Sequence, residues 1–126
     1  MTATAIAIGT GSLLSPASHA EQVSTRLLGF GAPLNGCKTC RTMTPSFNYG
    51  LGLVMIGNWL LQNPLFGGYS AVEAYLPSKK IAIAVAVTYG EKAFNADGDI
   101  IGGNASQSLF AQIGALLAPD DALPAS

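Results

Sequence analysis

Few residues in this chain have types and spacings suited to chemistry. The two cysteines stand as Cys37-Lys38-Thr39-Cys40. A redox pair of that spacing opens a helix after a strand, whereas here Gly36 precedes it in a Gly/Pro-rich stretch with no βαβ pattern around it. A zinc site would need two more ligands, and only His19 is left. The pair reads as a local disulfide or as two loop thiols, and a disulfide would suit an exported protein. His19 cannot head a Ser-His-Asp triad without a serine elbow, and no Gly-x-Ser-x-Gly exists. Placed early in a helix among polar neighbours, it reads as a solvated surface side chain.

Asn95, Asp97 and Asp99 alternate as in a calcium loop. The sixth position is Ile100 rather than Gly, and the twelfth is Ser106 rather than Glu, so a polar surface loop is expected. Asn104-Ala105-Ser106 matches a glycosylation triplet but falls where a helix cap is needed. No metal and no cofactor is expected. Trp59 and Tyr69 could line a pocket, although aromatics on strands are usually core; Tyr75 reads as rim and Lys79-Lys80 as turn.

The elements that position these residues follow from pattern and composition. Apolar residues make up 49% of the 126 and charged residues 10%. Six Lys plus Arg against seven Asp plus Glu leave no basic surface for nucleic acid. So few charges point to an apolar surface that expects a partner or a missing segment. No apolar run reaches the eighteen or so residues of a membrane helix. Ala5–Leu14 followed by Ala17-Ser18-His19-Ala20 lacks the basic start of a signal peptide and is broken by Gly9 and Gly11; localisation is left open.

Thr2–Ile8 is apolar without a clear period. Ser15-Pro16 starts a helix predicted over Pro16–Leu27, ended by Gly29 and Gly31. A loop covers 28–46, and strands lie between 47 and 88. Tyr49, Leu51, Leu53 and Met55 would share one face of the first strand, with Val54 and Ile56 on the other. Gly57-Asn58 turns into Trp59-Leu60-Leu61, and Asn63-Pro64 breaks that ladder. Tyr69–Leu76 is a third strand. Ile81–Val87 alternates large and small residues with no polar one, which predicts a central strand buried on both faces, its alanine face approached by a helix. After a polar loop at 90–103, Leu109, Phe110, Ile113, Leu116 and Leu117 form a helical stripe within a helix over 104–118. Pro119 stops it, and a frayed tail follows. The expected fold is α+β, an antiparallel sheet of about four strands flanked by an N-terminal and a C-terminal helix.

Asn48-Tyr49-Gly50-Leu51-Gly52, then Gly68-Tyr69-Ser70, Tyr75-Leu76-Pro77 and the apolar strand 81–87 occur in an order that resembles the C-terminal part of the serine β-lactamase and penicillin-binding-protein family, in its class C and esterase-like branch. Thr10–Pro16 is similar to the loop and helix start that precede the sheet there. The resemblance implies a partial β-lactamase/transpeptidase-like fold spanning 1–126, with sheet strands and a final helix packed on them. It also implies an exported or envelope protein whose chemistry needs a Ser-x-x-Lys nucleophile. No serine here has Lys three residues later, so no catalytic residue is assigned.

The family's third motif, Lys-Thr-Gly or His-x-Gly, begins six residues before the Gly of Gly-Tyr-Ser. That spacing falls on Gln62-Asn63-Pro64, which carries no cation and has Pro in place of Gly. A shifted alignment uses Phe66-Gly67-Gly68. The substrate-binding strand implied by the resemblance is therefore Gln62, Asn63, Pro64, Phe66, Gly67, Gly68 and Tyr69. Ser46-Phe47-Asn48 matches the second motif by letters alone. Two functions follow as expectations. One is the C-terminal fragment of a serine acyl-hydrolase (β-lactamase, D-Ala-D-Ala carboxypeptidase or esterase type), inactive alone and partnered by its missing helical half. The other is a non-catalytic module that pairs, or self-associates, through an open sheet edge.

Overall fold

Tyr69–Leu76 (β5) organises the molecule. A computed structural model describes residues 1–37 and 40–123. In chain order the elements are α1 (Thr2–Thr10), α2 (Pro16–Gln22), β1 (Asn48–Tyr49), β2 (Val54–Ile56), β3 (Trp59–Gln62), β4 (Leu65–Phe66), β5, β6 (Ile81–Thr88) and α3 (Ala105–Leu117). All strand pairs are antiparallel. β1, β2 and β3 follow one another, and β3 pairs the second half of β5 (Leu60↔Tyr75, Gln62↔Glu73). β4 pairs its first half (Phe66↔Tyr69), and β6 runs along its other side from Leu76↔Ile81 to Tyr69↔Thr88. The fold is thus α+β, a curled antiparallel sheet with helices from both ends of the chain against it.

The strands place their large residues on opposite sides of the sheet, and one helix covers each. Val54, Ile56, Trp59, Leu61, Val72, Leu76 and Ile83 form a core with Phe110 and Ala118 of the α3 segment. Trp59 and Phe110 are fully buried and meet edge-to-face with centroids 5.1 Å apart, a geometry that adds to area burial. α1 packs over β5 and β6 on the other face. Its buried residues are the small ones, Ala5 and Gly9, and a Cβ on Gly9 would overlap the Tyr75 side chain.

Several expectations need correction. Thr2–Ile8 belongs to a helix, hidden from periodicity because its buried face is made of small residues. The second helix stops at Gln22, not Leu27: the Gln22 carbonyl, which Arg26 N–H would need, accepts from Leu51 N–H at 2.9 Å. The strand drawn through Tyr49–Met55 folds back at Gly50–Leu53, where Gly50 N–H donates to Leu53 O and Gly52 has φ 71°. Leu51 is exposed while Leu53 and Met55 are buried. Tyr75 is buried under α1 and is not a rim residue, whereas Tyr69, expected in the core, is 62% exposed. β6 is an edge strand; β5 takes the central place. Its alanine face does receive a helix, α1. The tail is pinned as far as Asp121, whose carbonyl accepts from Trp59 Nε1 at 2.8 Å, and Leu123 packs on the core. The last three residues of the expected tail, 124–126, lie outside the described residues.

Candidate functional site

β3 ends at Gln62, and the segment implied as substrate-binding runs from there to the start of β5. Gln62 Nε2 donates to Gly52 O, so the side chain is spent on the β1–β2 turn. Asn63 points at α3: its Nδ2 donates to Gln107 Oε1 at 3.2 Å, and its carbonyl accepts from Asn104 Nδ2 at 3.4 Å. Pro64 O accepts from Ala71 N–H at 3.0 Å, which brings the chain back to the sheet for β4. Phe66 and Tyr69 pair across the two-residue turn Gly67-Gly68, with Gly68 at φ 89°, a conformation glycine supplies without strain. A shallow groove of about 360 Å³ lies beside this hairpin, lined by Pro64, Phe66, Tyr69, Ala71, Ala86 and Thr88 among others. The structure therefore brings Pro64, Phe66 and Tyr69 to one concavity, and it turns Gln62 and Asn63 to structural partners.

Ser70, the one hydroxyl buried on the core face of β5, is the nearest thing to a nucleophile in this region. Its Oγ accepts from Tyr89 OH at 3.0 Å and from Ser106 N–H at 3.3 Å. Tyr89 OH accepts from Ala105 N–H at 2.8 Å and has Gly103 O at 3.1 Å as the other acceptor for its single proton. Asn104 Oδ1 accepts from Gln107 N–H at 3.1 Å and from Ser106 Oγ at 2.6 Å. The first N–H groups of α3 are thus all bonded within the protein, so this helix start is a closed cap and not an anion site. Ser70 has no histidine, lysine or carboxylate among these partners and holds no general base. Neither Ser70 nor Tyr89 is assigned a role by the sequence pattern alone. A serine in register with Val72, Ala74 and Leu76 was the available signal, since a buried hydroxyl needs a partner.

The remaining candidates fall apart in space. Cys37 and Cys40 are joined in a disulfide; Lys38 and Thr39 between them lie outside the described residues. His19 is half-buried against Gly11, with Nδ1 at 3.3 Å from Gln22 Oε1. Asn95 Oδ1 accepts from the N–H groups of Asp97 (3.0 Å) and Asp99 (2.8 Å), closing an Asx turn. Among the described residues no group of His, Cys, Asp and Glu is arranged to hold a metal. Of the second-motif lookalike, Ser46 bonds Thr44, and Asn48 is buried on β1, separated from β5 by β2 and β3. Neither amide atom of Asn48 has a hydrogen-bond partner among the described residues. Among the described residues no helix is long and apolar enough to cross a membrane. No family model, curated protein or solved structure matches this chain.

Proposed function

We propose that this chain is the C-terminal sheet portion of a serine acyl-hydrolase related to β-lactamases and penicillin-binding proteins, and that its 126 residues form no acyl-enzyme alone. The observation that supports the reading is the antiparallel hairpin of β5 and β6 with the last helix, α3, packed on it. The sequence resemblance implies sheet strands followed by a final helix packed on them. The groove beside Phe66 and Tyr69 would then be what remains of the acyl side of a substrate site, for an ester, amide or β-lactam carbonyl. A complete enzyme needs a Ser-x-x-Lys nucleophile and its base from the missing helical half, which is the partner this reading requires. It requires no cofactor.

The test reads the DNA upstream of the Met1 codon. In-frame Ser-x-x-Lys and Tyr-x-Asn motifs are expected; stop codons with neither motif overturn the reading. The isolated chain, incubated with a fluorophosphonate or a fluorescent penicillin, is expected to carry no covalent label. A labelled serine would contradict the inactivity.

A further inference from the structure

We propose that the outer edge of β6, together with the uncovered flank of α3, is a dimerisation surface on which a second copy of this chain docks, β6 pairing antiparallel with β6. This inference stands on the edge geometry and does not rest on the hydrolase reading.

The direction of each backbone group on β6 follows from the ladder. Tyr89 N–H donates to Gly68 O at 2.9 Å, one step beyond the Tyr69↔Thr88 pair. Hydrogen-bonded and non-bonded pairs alternate in an antiparallel ladder, so the odd-numbered residues of β6 bond to β5. Ala71, opposite Ala86, agrees: its N–H goes to Pro64 O, away from β6. Ala82, Ala84, Ala86 and Thr88 therefore aim N–H and C=O outward, where no strand among the described residues pairs with them. An eight-residue edge with no charge and no Pro is one that proteins ordinarily blunt or cover.

The flank of α3 says on which side cover is missing. Gly114 lies against the Trp59 ring and Gln107 bonds Asn63, so that side of the helix faces β3. Leu109, Ile113 and Leu116 project from the opposite side, toward and beyond β6. They are 44%, 37% and 84% exposed. Free edge and apolar flank are thus continuous.

A second copy fits both at once. Among antiparallel self-pairings, only the one with Val85 on the two-fold axis sets Ala82 against Thr88 and Ala84 against Ala86, leaving no outward N–H or C=O of either strand unpaired. The large residues then meet large ones on the α3 face. Strands about 4.8 Å apart would put two helices, each seated over β5 and β6, roughly 10 Å from one another, a normal packing distance. Residues 81–88 and 105–118 contain no Asp, Glu, Lys or Arg, so no like charges meet in the centre. At the rim this register brings Lys80 of one copy beside Glu91 of the other, Lys79 being held by Asp120 and Asp121 of its own chain at 3.6 and 3.8 Å, while a parallel pairing would set lysine on lysine.

Light scattering after gel filtration of the full chain, over about a hundredfold range of concentration, tests this. A two-fold mass relative to the 12.9 kDa chain is expected at the high end. Ala86→Pro removes an outward N–H that β5 does not use and is expected to weaken association by roughly a hundredfold or more. Its circular dichroism and its urea midpoint at dilution should match wild type. Leu116→Lys, on an exposed position, is expected to weaken it roughly tenfold. It serves should the proline variant not fold. Val85→Cys is expected to cross-link to its own copy on mild oxidation. A wild type that stays monomeric overturns the proposal, as does a dimer that survives both substitutions.

Discussion

Two outer strands of the sheet, β1 and β6, are built differently. At the β1 side the edge strand is two residues long and is followed at once by a turn whose Leu51 N–H is taken by the C-terminal carbonyl of α2. Gly50 sits so close to that carbonyl that a Cβ would overlap Gln22 O. At the β6 side the edge runs for eight residues, carries no charge and pairs with no second strand among the described residues. One limit is closed by local chain, the other is long and open. A short, covered edge is the usual protection against strand addition, and its absence at β6 is what the proposed dimer rests on.

Substitutions separate what holds the two limits. The largest loss is expected from Trp59→Ala, which empties the contact with Phe110 and Gly114 and removes the tie to Asp121. Roughly 3–5 kcal/mol should drop the urea midpoint for both edges together, and an unchanged midpoint would mean that the core does not join them. Gly50→Ala acts at the closed limit alone. Pushing Gln22 O away should cost about 1–3 kcal/mol and expose the Leu51 amide to hydrogen exchange, with β6 protection unaltered. Tyr89→Phe, at the end of β6, removes the hydroxyl shared by Ser70 and Ala105 N–H. A loss of about 1–2 kcal/mol is expected in thermal melts, non-additive with Ser70→Ala because the two share one network. The smallest effect belongs to Asn48→Leu on β1. Both amide atoms of Asn48 lack partners among the described residues, so the change should leave the midpoint within roughly 1 kcal/mol or raise it; a large loss would show that the amide is hydrogen-bonded.

Much of the architecture is legible in the amino-acid sequence. The strands at 59–61, 69–76 and 81–87 and the helix at 104–118 announce themselves by period and by turn residues, and they occur where expected. Failures had specific causes. α1 buries Ala5 and Gly9, so its inner face carries no large side chain and its pattern gives no period. The Gly50–Leu53 turn hid inside residues that alternate well enough to pass for one strand. β6 looked central because alternation of large and small residues reports covered faces and says nothing of an uncovered edge; α1 and α3 cover the faces while the edge stays bare. The candidate site was legible only in part. Phe66 and Tyr69 do share a groove with Pro64, but the amides of Gln62 and Asn63 are bound to a turn and a helix, partners far away in sequence. The register of Ser70 with Val72 marks it as buried, but its partner Tyr89, nineteen residues away, is not legible from the pattern.

The turn at Pro77–Lys80 makes β5 and β6 a local hairpin, and local pairs form early in folding. That hairpin is local, whereas α3, which begins at Ala105, must fold back onto it from further along the chain. Until it does, Ile81–Thr88 is a β-prone, uncharged segment bare on one edge and on one face. Segments of this kind nucleate aggregates when chains are concentrated. The yield of folded protein should therefore fall with expression rate more steeply than its equilibrium stability would suggest, and slowing synthesis should recover it.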